Sequence, residues 1–470
     1  MQLLSVGFFL FWLITIVIYY LMRRAQWVVL LFASLIGFLL LSCGLPLIIL
    51  AETVIIYLYG HFSLRSETAR RKGLFLAVGA LVLVLIVFRH VLCDYLSVGF
   101  EKFFPLLGIS FYTMTAIAYC ADISMQKVKP EKNPAKLLLM LIYFPSILQG
   151  PIHRYDQISS ELFSGHSFSV DHMISGGLRI LFGLMKKLVI VPRLQVYTNV
   201  VFGNPDEATV FGLISGTIVF FVELYADWSG YMDIVLGISE TLGIHMAENF
   251  RRPFFATSIS DVWKRWHISL SSWFRDYIYI PLGGNRKGII RTIRNVFAVW
   301  ILTAFWHGVS GGYLMWGLYF AVLSTVGIFL RKYAIMKNGA ETGARWKAVR
   351  IPVTWLLTAA GFFFFATESF SNIRLLLSGA MAHKGFGIRS SLTAWLSLND
   401  PFETIVLCVA LTLWFFVSIT EEKGRRVRSR LMERPLPIRW TIILFLIFFV
   451  ILCGMYGQQY DAGAFLYQGF

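Results

Sequence analysis

The chain has 470 residues, of which 57% are apolar and only 14% are charged, whereas soluble globular proteins carry about 25% charged residues. This composition excludes a disordered chain, a collagen and a disulfide scaffold, and it argues strongly against a water-soluble enzyme. The formal net charge of +16 comes from 42 Lys and Arg residues against 26 Asp and Glu residues. In a membrane protein such an excess is typical of basic loops on the cytoplasmic side, so we expect a lipid bilayer and no nucleic acid as partner.

Many apolar runs have the length that crosses a bilayer. A spanning helix needs roughly 20 mostly apolar residues, and its backbone amides must pair within the segment. A β-barrel would instead show short strands of alternating polarity. In chain order the runs lie at 3–22, 27–43, 45–60, 73–88, 106–123, 137–149, 176–192, 208–225, 296–306, 312–330, 351–366, 402–420 and 440–455. We predict an all-α polytopic membrane protein of about ten to twelve transmembrane helices, with some segments re-entrant or interfacial.

Basic clusters between the runs predict the orientation of the chain. Lys and Arg are enriched in cytoplasmic loops, and the clusters at 65–72, 126–136 and 421–439 are compatible with one another when all three lie inside. Both termini then lie outside the cytoplasm. The weakly apolar stretch 370–400 lies outside as well, and the basic loop 331–350 lies inside.

The most unusual segment is rich in aromatic and charged residues and reads DVWKRWHISLSSWFRDYIYIPLGGNR at 261–286. Ser258 or Ser260 can cap a helix here, with Asp261 in its first turn. Pro281 and the glycines after it would end that helix. Its aromatic face would comprise, at helical spacing, Trp263, Trp266, His267, Leu270, Phe274 and Tyr277. The pattern predicts one amphipathic helix, which either lies in the headgroup layer or contributes to a site, and His267 fits the first alternative poorly.

A second unusual residue is His307, in the sequence FWHG at 305–308, between two apolar runs. An ionisable residue at membrane depth is a functional hypothesis by default. A buried imidazole tends to stay neutral, which is the form that a general base requires. The alternative is a histidine that only bonds neighbouring helices. The other histidines show no metal-binding spacing, so we expect no metal site.

Together, the run at 261–286 and the FWHG sequence that follows it resemble the membrane-bound O-acyltransferase (MBOAT) family. The resemblance is closer to the branch that contains the alginate O-acetyltransferase membrane subunit. Other stretches that fit this branch are LLGISFYTM at 106–114, QGPIHRY at 149–155, KKLVI at 186–190, WSGYMDIVLGISETLGI at 228–244 and ENFRRPF at 248–254. The resemblance implies helices around a central tunnel, with His307 as the catalytic histidine and His267 in a supporting position.

The resemblance also implies how the chain is organised. We expect one membrane domain over residues 1–470, with N-terminal spans at 1–135, a catalytic core at 136–310, and C-terminal spans with an extracellular tail at 311–470. The acyl donor would enter from the cytosol, and the acyl group would leave on the outside of a bacterial cell membrane. The expected function is O-acetylation of an extracellular or cell-wall polysaccharide.

The expected donor is acetyl-CoA or another acyl thioester, used as substrate and not held as a bound cofactor. Trp263, Trp266, Trp273 and Arg275 are candidates for the tunnel wall. Lys264 and Arg265, with the basic cluster after residue 285, are candidates for a cytosolic mouth that suits the donor's phosphates. The alternative for these basic residues is that they only orient the chain in the membrane.

The segment Phe465 to Phe470 resembles an F-x-Y-x-x-F motif of this branch. By the resemblance, Tyr467 receives the acyl group and passes it to an extracellular SGNH-type acetyltransferase partner. The alternative is an aromatic anchor at the membrane interface, where Tyr and Phe are common.

Two other functions stay open at this point. One is D-alanyl transfer to teichoic acid, which belongs to the same family and differs in its donor. The other is a transporter or channel in which His307 and His267 line a permeation path. Many secondary transporters contain inverted repeats, and none is visible in this sequence.

Overall fold

The computed structural model describes residues 5–42, 46–63, 65–87, 108–332, 344–383, 387–389, 391, 393, 395 and 400–456. Over these residues the chain is helical and contains no β-strand. The expected all-α fold is therefore confirmed. The residues form two compact units, the first comprising Met1–Ile180 with Val235–Glu248, and the second Leu181–Ile234 with Asn249–Phe470.

The first unit is built mainly from the N-terminal helices. Its central helix, α5, is buried along nearly its whole length and packs against α3 and α4. The helices are α1 (Val6–Leu21), α2 (Gln26–Ser42), α3 (Pro46–Ser63), α4 (Glu67–Ile86), α5 (Ile109–Ser124), α6 (Pro134–Ile142), α7 (Tyr155–Phe163) and most of α8 (Val170–Met185).

The second unit contains the predicted central segment and the later spans. It begins at Leu181 with the last residues of α8, and the π-helical turn Lys186–Ile190 continues that helix. The helices that follow are α9 (Val191–Gly203), α10 (Val210–Thr241, which belongs to this unit up to Ile234), α11 (Ile259–Arg265), α12 (Ile268–Phe274), α13 (Ile289–His307), α14 (Gly311–Lys332), α15 (Ala344–Thr367), α16 (Phe370–Ala382), α17 (Pro401–Glu422), α18 (Val427–Met432) and α19 (Leu436–Cys453).

Six helices in the described part of the chain are long and apolar enough to cross a bilayer. They lie within α10, α13, α14, α15, α17 and α19, and three shorter apolar helices lie within α1, α2 and α3. These helices agree with a multi-pass membrane protein. The expected total of about ten to twelve spans stays a prediction.

Helix α10 differs from the sequence prediction, which placed an apolar run at 208–225 only. It continues for 32 residues to Thr241 and carries Asp227 and Asp233 within it. These carboxylates are accommodated because two buried lysines of the preceding π-helical turn pair with them. Lys187 pairs with Asp227, and Lys186 pairs with Asp233 at 2.6 Å.

Helices α13 and α14 pack closely enough that backbone meets backbone. A Cβ atom at Gly317 would lie 2.8 Å from the carbonyl oxygen of Trp300 and 2.8 Å from the Cβ of Ala304. Small residues permit this approach, which is a common way for membrane helices to associate. The packing places the start of α14 beside His307, the last residue of α13.

Candidate active site

A cavity of about 1090 Å³ lies in the second unit and follows one face of α13. The α13 residues on its wall recur every three or four positions, as one helix face requires. From the first of them to the last, the cavity follows the helix axis for about 22 Å. These wall residues are Thr292, Val296, Val299, Trp300, Thr303 and His307.

His307 lies at one end of this face and is enclosed by aromatic rings. Its side chain is only 2% exposed. The ring centroid of Trp316 lies 5.0 Å from that of His307, that of Phe365 lies at 5.4 Å, and that of Tyr313 lies at 6.1 Å. The next residue, Gly308, has no room for a side chain, because a Cβ atom there would lie 2.9 Å from the Tyr313 ring. The surroundings are apolar and suit a reaction from which water must be excluded.

His267 lies where the predicted amphipathic helix breaks. The prediction of one helix was wrong, because α11 ends at Arg265 and α12 begins at Ile268. The predicted cap was right, since Ser258 accepts a hydrogen bond from the Asp261 amide. At the break, His267 adopts a left-handed conformation with φ 44° and ψ 56°. That conformation costs about 1–2 kcal/mol for a residue other than glycine, so it needs compensating contacts.

Asn249 supplies these contacts from 18 residues earlier in the chain. Its backbone carbonyl accepts a hydrogen bond from the Ile268 amide at 2.9 Å. Its side-chain Oδ1 accepts another from the Ser269 amide at 3.0 Å. A buried asparagine thus replaces the hydrogen bonds that a continuous helix would have made across the break.

The same side chain determines the tautomer of His267. Because a backbone N–H can only donate, the Asn249 atom that faces Ser269 must be oxygen. His267 Nδ1 lies 3.3 Å from this oxygen, so Nδ1 carries the hydrogen and Nε2 carries the lone pair. Burial, with a smaller contribution from nearby His307, lowers the pKa of His267 well below its ordinary value. The imidazole is therefore neutral near pH 7 and accepts through Nε2.

The two histidines that the sequence singled out belong to the same cavity wall. Both are 2% exposed. The Trp306 ring lies between the two neighbourhoods, with its centroid 6.0 Å from that of His267 and 4.7 Å from that of His307. Two buried imidazoles on one wall provide two groups that can accept a proton or a hydrogen bond.

Of the other predicted site residues, three line the cavity and three do not. Trp263, Trp266 and Arg275 are on its wall. The remaining three are off the wall: Trp273 packs on Phe274 and Tyr277, Lys264 is exposed, and Arg265 pairs with Asp261 and Glu422 at 3.1 and 3.0 Å. Tyr467 lies outside the described residues.

Several wall residues were missed by reasoning from the sequence. Arg331 and Arg350 line the cavity together with Arg275. From the sequence alone, the basic loop at 331–350 is only an indication of membrane orientation. Trp316 and Phe365 also escaped notice, because each lies in an apolar run where an aromatic residue carries no special signal. Trp300 and Thr303 could have been found, since they lie seven and four positions before His307 on the same helix face.

Comparison with known proteins identifies the family. Residues 131–367, half of the chain, match the sequence profile of the membrane-bound O-acyltransferase family. The chain belongs to the membrane-bound O-acyltransferase family. The matched region contains both histidines of the cavity, Asn249 and Trp316.

Individual relatives of this MBOAT chain carry names of two kinds. A probable alginate O-acetylase of Pseudomonas syringae pv. tomato is 31% identical over 68% of this chain and 61% of its own length. A probable alginate O-acetylase of Pseudomonas fluorescens is 33% identical over 68% of this chain and 63% of its own length. A teichoic acid D-alanyltransferase of Bacillus subtilis is 28% identical over 57% of this chain and 70% of its own length. The chain thus spans about three fifths of the length of the two alginate relatives.

Proposed function

We propose that this chain is an acyltransferase that moves an acetyl group from a cytosolic thioester across the membrane, for O-acetylation of an extracytoplasmic polysaccharide. One observation carries the proposal: two buried histidines and three arginines line the same elongated cavity. A phosphorylated acyl donor needs an anion-binding surface for its phosphates, which the arginines provide. The transfer of its acyl group needs a base, which a histidine provides. Membership of the MBOAT family and the alginate O-acetylase relatives support the same class of reaction.

In this proposal His307 is the general base. It accepts the proton of the attacking hydroxyl while the hydroxyl oxygen bonds to the thioester carbonyl carbon. The C–S bond then breaks, and the proton passes to the departing thiolate. The aromatic wall keeps water from hydrolysing the thioester, and neutral His267 supports the site as a second acceptor.

Acetyl-CoA is the donor that fits this cavity best. Arg275, Arg331 and Arg350 provide guanidinium groups that bind phosphate oxygens in pairs. From Thr292 to His307 the cavity runs for about 22 Å, which leaves room for an extended arm between the phosphates and the thioester. We propose one membrane domain whose catalytic core, expected at 136–310, extends to Phe365, since the cavity wall continues that far.

Mass analysis of surface polysaccharide tests the function directly. A strain that lacks this chain is compared with the same strain complemented by it. Acetyl esters that return only on complementation support the proposal. D-alanyl esters would instead favour the activity for which the Bacillus subtilis relative is named, and unchanged esters would favour a transporter.

We also propose that Tyr467 relays the acyl group to an extracytoplasmic SGNH-type acetyltransferase. A phenol becomes a nucleophile once a base takes its proton, and a phenyl ester is an activated donor for the next step. Tyr467→Phe keeps the ring and removes the hydroxyl, so we expect polysaccharide acylation to be lost. An interfacial anchor would survive this change, and acylation at the wild-type level in Tyr467→Phe cells would contradict the relay. Tyr456→Phe is the control, because Tyr456 lies just after α19 and outside the motif.

The orientation that we propose places both termini outside the cytoplasm of a bacterial cell. It can be tested with two single cysteines on either side of α17, in a chain whose five native cysteines are replaced. Ser429→Cys on α18 and His383→Cys after α16 are both at exposed positions. An impermeant thiol reagent added to intact spheroplasts should label residue 383 and leave residue 429 unlabelled. The reverse pattern would overturn the scheme.

A further inference from the structure

Acyl transfer at His307 needs a group that the two histidines do not supply. When a hydroxyl attacks the thioester, the carbonyl oxygen becomes negatively charged, and a hydrogen-bond donor must stabilise it. His267 is unsuited to this task, because its Nδ1–H points to Asn249 and its Nε2 carries a lone pair. His307 is occupied as the base. The inference that follows therefore rests on the proposed acyl transfer and concerns the missing donor.

Trp316 has the properties of such a donor. Its side chain is 2% exposed, it lines the cavity, and its ring centroid lies 5.0 Å from that of His307 at an interplanar angle of 86°. Its indole Nε1 is buried and has no hydrogen-bond acceptor among the described residues. A buried donor without an acceptor is destabilising, so its presence beside the base calls for a functional reason.

Other hydrogen-bond donors near His307 are already bonded, lie further from it, or do not line the cavity. The Trp306 ring centroid lies 4.7 Å from that of His307, but Trp306 is not among the residues that line the cavity. The Trp300 indole donates to Ser324 Oγ at 3.2 Å, and the Thr303 hydroxyl donates to the Val299 carbonyl at 2.7 Å. The Trp263 indole also has no acceptor in the described part of the chain. However, the rings that it contacts are those of Trp300, Trp316 and Phe320, so it lies one ring further from the base.

We propose that the Trp316 indole N–H donates a hydrogen bond to the oxyanion that forms on the thioester carbonyl while His307 holds the proton of the attacking hydroxyl. As the hydroxyl oxygen bonds to the carbonyl carbon, the carbonyl π pair moves onto oxygen and accepts the indole hydrogen. When that pair returns, the C–S bond breaks, and the proton on His307 goes to the thiolate. The indole keeps its hydrogen throughout, so Trp316 stabilises charge and transfers nothing.

The test compares two tryptophans of the same wall. Trp316→Phe removes the orphaned N–H and keeps an aromatic ring. Trp300→Phe is the matched comparison, because it removes an N–H that is already bonded to Ser324, and Trp300 contacts Trp263 and Phe320 as Trp316 does. Full-length protein in inverted membrane vesicles is supplied with acetyl-CoA, and the release of CoA is followed as acetyl groups reach the polysaccharide. For Trp316→Phe we expect kcat to fall about 10²- to 10³-fold with little change in the KM for acetyl-CoA. For Trp300→Phe we expect a clearly smaller loss of kcat than for Trp316→Phe, because the N–H that it removes is already bonded to Ser324.

Three results would overturn the proposal: a wild-type kcat in Trp316→Phe, an equal loss of kcat in both variants, or a rise in KM alone. The second would assign the effect to packing, and the third to donor binding. If Trp316→Phe does not accumulate, replacement of the indole by benzothiophene keeps the bicyclic shape and substitutes sulfur for N–H, and the same outcomes apply. Failure of the wild-type protein to transfer acetyl would overturn the proposed function itself, which separates the two conclusions.

Discussion

His307→Ala is expected to abolish acylation of the polysaccharide while membrane insertion and expression stay near normal. In the proposed mechanism the His307 imidazole is the general base, and the loss of a general base typically costs about 10²- to 10⁴-fold in rate. Insertion should persist because His307 is the last residue of α13, so its replacement leaves the apolar part of that helix unchanged. Mass analysis of polysaccharide esters, together with an immunoblot of the membrane fraction, measures both effects.

Two further histidine variants test whether the loss of acylation is specific to His307. His383→Ala is a control at an exposed position after α16 and should leave acylation unchanged. His267→Ala should reduce acylation but leave more residual turnover than His307→Ala, because the expected role of His267 is supporting. Acylation that persists in a strain carrying only His307→Ala would remove His307 from the mechanism.

Asp227→Leu is expected to destabilise the second unit severely. Lys187 is 0% exposed and Asp227 is 1% exposed, and the two form an ion pair between the π-helical turn and α10. Removing the carboxylate breaks this buried ion pair and leaves the Lys187 charge without it, which typically costs about 3–5 kcal/mol. The unfolding temperature of the purified protein in detergent, and its yield from membranes, should both fall.

The double variant Lys187→Met/Asp227→Leu should recover most of this stability. It removes both charges and fills the space with apolar side chains, and such replacements of buried pairs are often neutral or stabilising. Arg71→Ala is the control, because it breaks the exposed Arg71–Glu67 pair of α4, where solvent screens the interaction. If the double variant were as unstable as Asp227→Leu, the loss would come from a role of Asp227 other than charge pairing.

Much of the fold follows from the sequence because membrane helices are local structures. A run of roughly 20 apolar residues must pair its backbone within itself in lipid, so α14, α17 and α19 could be placed to within a few residues. Helices α13 and α15 were also predicted, but they begin at Ile289 and Ala344, before the predicted runs at 296–306 and 351–366. Similarly, His307 could be singled out because an ionisable residue between two apolar runs is costly wherever the helices go. The helix cap at Ser258 was predictable because it is also local: its side chain accepts a hydrogen bond from the amide of Asp261, three residues further on.

The features that the sequence did not reveal depend on contacts between distant segments. The break at His267 is stabilised by Asn249, 18 residues away, and helical periodicity carries no sign of it. Likewise, α10 continues past residue 225 because Lys186 and Lys187 neutralise its carboxylates from another helix.

The chemistry of the cavity was decided in the same way. Which of the chain's arginines line the cavity, and which indole lines it beside His307, depend on how α13, α14 and α15 pack against one another. The sequence by itself determined the helices, the two histidines and the family resemblance. Only the tertiary structure decided which donors and charges meet at His307, because hydrogen bonds and ion pairs between helices are not encoded in the period of any one of them.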